Sequence, residues 1–299
     1  MSDTVVIGST KPNPVQLPVP GSLLTKWNGA MALFHGALTA VTLAVGNLDL
    51  RVPVYASEIS LDVGDSNSTS EWRLVPGVAT RSGWMYLTYL TASFFFLSCV
   101  FHTGNVLLWR APYQRALAGG FAPFRWAEYS LSASVMVLIL SYTSGTIELY
   151  LLVLLFGLTF VTMLFGHLHE VICRPESLDL WEGRPLYRLQ AHFFGYVPQL
   201  FAWGIILAQF FKAGGASTTD AAGNERQMPA FVYGIVFGEL LLFWSFGVVQ
   251  LVVSLRPPSK YYQGEIAYMW LSLLAKGVLG IVVLSNVLIL GSFAEIYED

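Results

Sequence analysis

Seven stretches of about 20 or more mostly apolar residues divide the chain, and they restrict what it can fold into. The hydrocarbon layer of a bilayer offers no water to the backbone, so a helix of about this length is the simplest segment that can cross it. Of the 299 residues, 55% are hydrophobic and only 12% are charged, which leaves too little polar surface to cover a soluble protein of this size. The sequence therefore predicts an all-α membrane protein with seven transmembrane helices.

The spans are predicted at about 24–46, 83–108, 121–143, 147–169, 190–211, 229–254 and 264–290. Residues that end helices or require water separate them, among them Arg110–Ala111–Pro112 and Ser144–Gly145. We divide the chain accordingly into a tail of residues 1–22, a seven-helix domain of residues 23–294 and a tail of residues 295–299.

Lys and Arg are distributed unequally between the two sides of the predicted bundle. Five fall on the side opposite the N-terminus, and ten fall on the side of the N-terminus. These ten are Lys11, Lys26, Arg110, Arg115, Arg125, Arg174, Arg184, Arg188, Arg256 and Lys260. Because cationic loops are retained in the cytoplasm, the N-terminus is predicted to be cytoplasmic and the C-terminus extracellular. We expect a multi-pass protein of the cell membrane, or of a host membrane if the source is viral.

The first extracellular connection is long, at about residues 47–82. Its alternating stretch LDLRVPVYASEISLDV, residues 48–63, is typical of a strand or β-hairpin, and a loose connection is the alternative. The same loop contains a glycosylation sequon that begins at Asn67.

Several classes of function are not indicated by the sequence. The net charge of -3 and the lack of a long basic run argue against a nucleic-acid partner. Cys99 and Cys173 have no partner cysteine at metal-ligand spacing and are interpreted as structural thiols. His167 and His169 are two residues apart and so face different sides of a helix, which argues against a metal site.

Lys276 is the residue that is hardest to reconcile with lipid. It lies about 12 residues inside the last span, where a protonated lysine costs about 2.5–3.5 kcal/mol. One interpretation is a structural ion pair with a carboxylate, or a shifted helix register. The other is an amine kept in an apolar pocket to form an imine with an aldehyde ligand, which explains why lysine and not arginine stands there. Ser272 lies one turn earlier and shares the helix face of the amine.

Glu128, in the third span, is the natural counter-charge for a buried cation. At 1.5 Å per residue, Lys276 and His35 lie about 18 Å from the N-terminal side, Glu128 about 11 Å and His102 about 9 Å. Ser98 lies one turn from His102. A single membrane histidine more commonly stabilises helix packing, whereas two at compatible depth favour a shared polar cavity.

With these residues assembled, the chain resembles the heliorhodopsins, a family of retinal proteins. The likeness covers about residues 27–290. It is strongest in FRWAEYSLSASVM (124–136), MPAFVYG (228–234) and GEIAYMWLSLLAKG (264–277), and the predicted orientation is also that of the family.

The resemblance implies a rhodopsin-like bundle in which retinal, all-trans in the dark, is bound to Lys276 as a protonated Schiff base with Glu128 as counterion. It implies further residues that line the chromophore and its hydrogen-bonded network, namely His35, Ser98, His102, Tyr129, Ser132, Met136 and Ser272. It also implies a homodimer with a slow photocycle and a sensory or regulatory output to an unidentified partner. Photoisomerisation is not enzymatic turnover, so no enzyme is predicted.

Two features depart from the family pattern. Trp244 follows Phe243 where a small polar residue is expected, and both are predicted to adjoin the chromophore and to affect its colour. Glu239 occupies a position expected to be apolar, about 15 Å from the outer face. It is either a protonated structural acid or a relay in a light-gated proton path, which is the alternative function. A receptor for a diffusible ligand is the third hypothesis.

Overall fold

The computed structural model describes residues 15–63, 72–175, 186–215, 218–219, 225–226 and 228–289. The first 14 residues, the sequon at Asn67 and the C-terminal tail of residues 295–299 lie outside this range. The described chain is mostly helical. Its α-helices are α1 (Gly21–Val45), α2 (Leu87–Val106), α3 (Arg110–Ala118), α4 (Pro123–Thr143), α5 (Leu149–Ile172), α6 (Gln190–Gly214), α7 (Ala230–Leu255) and α8 (Tyr261–Val283), and a π-helical segment, Leu284–Ile289, continues α8.

When the π-helical continuation of α8 is counted, the ends of every long helix lie within four residues of the ends of a predicted span. Six of the described helices are long and apolar enough to cross a membrane by length and composition alone. The seventh, α4, carries Arg125, Glu128 and four serines, and 15 of its 21 residues are buried. The less apolar helix is therefore the one that the others cover.

The helices form a bundle around α4. α2 packs against both α1 and α4, α5 packs against both α4 and α6, and α7 packs against α8. The turn between α4 and α5 requires a glycine, because Gly145 has a φ of 90° and a Cβ there would lie 2.8 Å from that of Ala213. Glu148 then begins α5 by accepting a hydrogen bond from the backbone nitrogen of Leu151 at 2.7 Å.

α3 was not predicted from the sequence. Arg110–Ala111–Pro112 was interpreted as a helix break, yet these residues form the first turn of α3. Proline is tolerated there because the first backbone N–H groups of a helix have no partner within it. α3 joins the end of α2 to the start of α4 and lies at the end of the bundle where α1 begins, which we call the N-terminal face.

Four strands occupy the long loop at the opposite end, the strand-bearing face. β1 (Arg51–Ala56) pairs antiparallel with β4 (Thr80–Tyr86), and β2 (Ile59–Val63) pairs antiparallel with β3 (Trp72–Pro76). β1 and β2 both lie in the alternating stretch, but each pairs with a later strand. A short pair, β5 (Thr218–Thr219) and β6 (Glu225–Arg226), lies between α6 and α7.

Candidate functional site

Lys276 of α8 and Glu128 of α4 form an ion pair inside the bundle, and each is only 2% exposed. The lysine also donates to the Ser272 hydroxyl at 3.0 Å. The hydroxyls of Ser98 and Ser132 donate to Glu128 Oε1 at 2.7 and 2.8 Å. Three hydroxyl groups from α2, α4 and α8 thus surround the pair, and a buried pair of charges is tolerated only with such further hydrogen bonds.

The spacing of these residues explains why the chain folds this way locally. Ser272 and Lys276 are four residues apart, as are Glu128 and Ser132, so each pair shares one face of its helix. Ser98 comes from α2, which packs against α4. The structure therefore brings together five of the residues that the sequence analysis singled out.

Two histidines lie beside this group, in α1 and α2. The rings of His35 and His102 are stacked, with their centroids 5.9 Å apart. His102 Nδ1 is 2.8 Å from Asn28 Oδ1. Among the described residues, neither ring nitrogen of His35 has a hydrogen-bond partner, although the residue is completely buried. The nitrogens of His35 are therefore buried polar atoms that no described side chain satisfies.

The amide of Asn28 determines which nitrogen of His102 carries hydrogen. Asn28 Nδ2 donates to Leu24 O at 2.9 Å and to Tyr113 Oη at 3.2 Å, so Oδ1 is the acceptor. That oxygen also accepts from Asn105 Nδ2 at 3.0 Å. His102 Nδ1 must then be the donor to Asn28, and in the neutral ring Nε2 is left as an acceptor.

An apolar cavity adjoins the Lys276 amine. Its lining consists of Tyr129, Ser132, Ala133, Met136, Met163, Phe243, Phe246, Ser272, Ala275 and Lys276. A neighbouring cavity shares Met163, Phe243 and Phe246 with the first and is also lined by Trp244. The space next to the amine is therefore bounded by aromatic rings and sulfur-containing side chains and extends toward a second space between α5, α6 and α7.

A second group of buried charges lies nearer the N-terminal face. Arg125 Nη1 donates to Glu265 and Arg125 Nη2 donates to Glu170, so one guanidinium holds carboxylates from α8 and α5. Glu170 also accepts from the backbone nitrogen of Ala122 at 2.9 Å. Arg125, counted above among the cations of the loops, is in fact 6% exposed. The burial of Arg125 in the first turn of α4 was not predicted, because hydropathy does not reveal its carboxylate partners.

Tyr113 of α3 connects the network of His102 and Asn28 to the buried charges around Arg125. Its hydroxyl accepts from Asn28 Nδ2 and donates to Glu265 Oε1 at 3.1 Å. Burial raises the pKa of Tyr113 well above its usual range, so the phenol keeps the proton that it donates. A chain of hydrogen bonds therefore runs from His102 through Asn28 and Tyr113 to Glu265 and Arg125.

Comparison with known proteins decides the family. The model of the heliorhodopsin family matches residues 24–288, which is most of the chain. The chain belongs to the heliorhodopsin family. It is thus a multi-pass membrane protein of the retinal photoreceptor type. A search among curated proteins gave no match.

Solved structures of rhodopsins resemble this heliorhodopsin. The transmembrane domain of the Salpingoeca rosetta rhodopsin phosphodiesterase is 12% identical, with a TM-score of 0.57 over 90% of this chain and 85% of that one. Xanthorhodopsin, a light-driven ion pump with dual chromophore, is 14% identical, with a TM-score of 0.57 over 96% and 100%. A light-driven proton pump from Leptosphaeria maculans is 10% identical, with a TM-score of 0.50 over 91% and 96%. At such low identities these similarities show the rhodopsin fold alone.

The other residues predicted to adjoin the chromophore lie in three places in this heliorhodopsin: in the cavity of Lys276, in the neighbouring cavity, and around the ion pair. Tyr129, Met136 and Phe243 line the cavity of Lys276, and Trp244 lines the neighbouring one. Among the described residues, His35, Ser98 and His102 do not line either cavity and lie instead around the ion pair and the Asn28 network.

Glu239 stands apart from both polar groups. It is fully buried on α7, one turn from Phe243, and neither carboxyl oxygen has a partner among the described residues. No hydrogen bond between described residues joins it to Lys276 or to Arg125. Its placement leaves open both interpretations given from the sequence.

Sequence reasoning missed Asn28, Tyr113, Glu170 and Glu265 as members of a buried network. Asn28 and Tyr113 are neutral and attract no attention in a hydropathy profile. The two glutamates lie near predicted helix ends, where a carboxylate could equally reach water. The signal that was present is Arg125, which lies three residues from Glu128 in an otherwise buried helix and requires an anion of its own.

Proposed function

We propose that this heliorhodopsin is a light sensor in which retinal is attached to Lys276 as a Schiff base and Glu128 is the counterion. The observation that carries the proposal is a buried amine that is paired with one carboxylate and opens onto an apolar, aromatic cavity. A lysine kept only for a structural ion pair would have no need of that space.

The cavity suits an elongated apolar aldehyde. Apart from Lys276, no charged residue is among the described residues that line it, and Met136, Met163 and Phe243 offer contacts to a polyene. The hydroxyls of Ser132 and Ser272 lie at the amine end. When bound, retinal supplies an aldehyde that condenses with the amine with loss of water, and a polyene that absorbs visible light and changes shape.

The residues of the chain then determine what happens to the proton at the Lys276 nitrogen. In the dark, Glu128 holds that proton in place by its charge, and Ser98 and Ser132 orient the carboxylate. If the ion pair is weakened, the Glu128 carboxylate and His102 Nε2 are the neighbouring acceptors. Protonation of His102 makes both ring nitrogens donors and thereby changes the network that leads through Asn28.

A sensory rather than a pumping role is supported by where the polar groups lie. The described hydrogen bonds extend from His102 toward the N-terminal face, through Asn28 and Tyr113. Among the described residues, none extends from this group to the strand-bearing face. We propose that a proton moves within the protein and that rearranged helices present an altered surface at the N-terminal face, which we place in the cytoplasm. The protein is proposed to act as a homodimer with a signalling partner.

Light-gated proton conduction is the second candidate function, and the buried Glu239 favours it. A carboxyl without a partner inside a membrane protein is a functional hypothesis by default. On this hypothesis Glu239 would carry protons between the strand-bearing face and the chromophore region. Voltage-clamp recording under illumination separates the two candidates.

The absorption spectrum after addition of all-trans-retinal tests the proposal. We expect the purified protein to gain a visible band, the Lys276→Ala variant to gain none, and Lys212→Ala to behave as wild type. Lys212 is a suitable control because it lies exposed in the last turn of α6. A Lys276→Ala variant that holds the pigment through hydroxylamine treatment in the light would refute the attachment. A colourless wild type would indicate a receptor for a diffusible ligand.

A further inference from the structure

α3 lies beside the first turns of α1 and not beyond them. The Tyr113 hydroxyl is 3.2 Å from Asn28 Nδ2, and a Cβ placed on Gly21 would lie 2.9 Å from the side chain of Gln114. The backbone nitrogen of Leu17, just before α1, donates to Ala118 O at 2.8 Å. α3 therefore occupies the depth at which α1 begins, which is the edge of the membrane.

The two sides of α3 differ sharply in chemistry. Tyr113, Ala116 and Leu117 are buried against the bundle. Arg110 and Arg115 are exposed on the other side. Leu107 and Leu108, three and two residues before the start of α3, are 71% and 74% exposed. Two guanidinium groups at the membrane edge beside two outward leucines are the arrangement of an interfacial helix.

The described part of the surrounding surface is positively charged. The exposed cations of the N-terminal face include Lys26, Arg110, Arg115, Arg174, Arg256 and Lys260. The carboxylates that the structure describes at this face, Glu170 and Glu265, are buried and bonded to Arg125. Over the described part of this face, no exposed carboxylate offsets the cations. The complementary ligand at this depth is an anionic phosphate group.

The buried side of α3 is joined to the chromophore region. Tyr113 stands three residues after Arg110 and two before Arg115, and its hydroxyl is bonded to both Asn28 and Glu265. Asn28 in turn accepts from His102. A change in the hydrogen bonds of His102 therefore acts on the helix that presents the two arginines.

We propose that α3 binds the phosphate headgroups of anionic lipids through Arg110 and Arg115, and that this binding is linked through Tyr113 to the state of the Lys276 site. The lipid binding is argued from the surface of α3 alone, whereas the linkage to the Lys276 site rests on the proposed function. Because linkage is reciprocal, a photoproduct that shifts α3 binds anionic lipid with a different affinity, and lipid that binds the photoproduct more tightly stabilises it relative to the dark state.

Lipid binding is tested without pigment. We expect native mass spectrometry of the protein from mixed phosphatidylglycerol and phosphatidylcholine micelles to show phosphatidylglycerol retained on the wild type, and less than half as much on Arg110→Gln/Arg115→Gln. The matched control is Arg174→Gln/Lys260→Gln, which removes two exposed cations of the same face outside α3 and should retain nearly the wild-type amount. Equal retention by all three proteins, or equal loss in both variants, would overturn the assignment of the site to α3.

The linkage is tested on the pigment in nanodiscs. We expect recovery of the dark state after a flash to differ by about threefold or more between phosphatidylcholine and an equimolar mixture with phosphatidylglycerol. The difference should vanish in Arg110→Gln/Arg115→Gln, whose replaced side chains are exposed, and in Tyr113→Phe, which keeps the ring. A coloured wild type with the same recovery in both lipids would overturn the linkage. A colourless wild type would refute the retinal assignment, while the mass spectra would still decide the lipid site.

Discussion

The imidazole rings of His35 and His102 lie stacked in the bundle, with planes 7° from parallel. His102 Nδ1 donates a hydrogen bond to Asn28 Oδ1. The two nitrogens of His35 are bonded to none of the described residues. On the proposed function, we expect this pair to take up a proton and to pass its effect to Asn28.

Replacement of His102 by asparagine should slow the photocycle while leaving the dark spectrum nearly unchanged. An asparagine amide can still donate to Asn28 but lacks an acceptor at the Nε2 position. Loss of a positioned acid or base costs a factor of about 100 to 10,000 in favourable cases, so a slowing of at least about tenfold is expected. Flash photolysis measures it. His167→Asn, at a half-buried position near the end of α5, serves as the control. An unchanged photocycle in His102→Asn would exclude His102 from proton transfer.

Replacement of Glu128 by glutamine should alter the colour and its pH dependence. The amide keeps the size of the side chain but removes the negative charge that stabilises the cation at Lys276. The visible band should move to longer wavelength, and half of it should be lost at a pH lower than in wild type by about one unit or more. Ser132→Ala, which removes one donor to the carboxylate but no charge, should give a smaller change. An identical spectrum and titration in Glu128→Gln would refute the counterion role.

Replacement of Arg125 by glutamine should destabilise the bundle. It leaves the carboxylates of Glu170 and Glu265 buried without their cation. Breaking a buried ion pair in this way costs about 3–5 kcal/mol. Unfolding in denaturing detergent, followed by tryptophan fluorescence, measures the loss. Lys260→Gln, an exposed charge at the same face, should change the stability by less than about 1 kcal/mol. Equal stabilities of the two variants would show that the cluster does not hold the helices together.

Replacement of Glu239 by glutamine distinguishes a structural acid from a proton relay. Under voltage clamp with a pH gradient, a sensor gives no light-evoked current either before or after the change. A current in wild type that disappears in Glu239→Gln would establish the proton path. A current that survives the change would remove Glu239 from it. On the leading proposal we expect no current, and a photocycle in Glu239→Gln that differs from wild type by less than about twofold.

The spans could be predicted because the thickness of the bilayer sets the length of a membrane helix, and a run of apolar residues of that length is visible in the sequence. The Lys276–Glu128 pair could be predicted for a related reason, since a charge in lipid requires an opposite charge from another helix. α3 could not, because a nine-residue helix with two arginines and a proline has the composition of a loop.

Depth calculated from the spans was a weaker guide. It placed His35 about 9 Å deeper than His102, yet their ring centroids are 5.9 Å apart. The calculation assumed that all helices end at one level. Instead, α1 begins beside α3, and Asn105, next to the last residue of α2, contacts Asn28 well inside α1. α2 therefore ends deeper in the bundle than the level at which α1 begins.

The composition of α4 has a consequence for biosynthesis. Its arginine and its glutamate find opposite charges on α8, which is synthesised after α4, and the arginine also pairs with Glu170 of α5. Until α8 is inserted, α4 carries ions that lipid rejects. We expect nascent chains truncated before Tyr261 to leave α4 accessible to water-soluble thiol reagents at an engineered cysteine, and the full chain to protect it. Quality control by the cell would thus act on insertion of α8, because Glu128 of the central helix gains its cation from that helix.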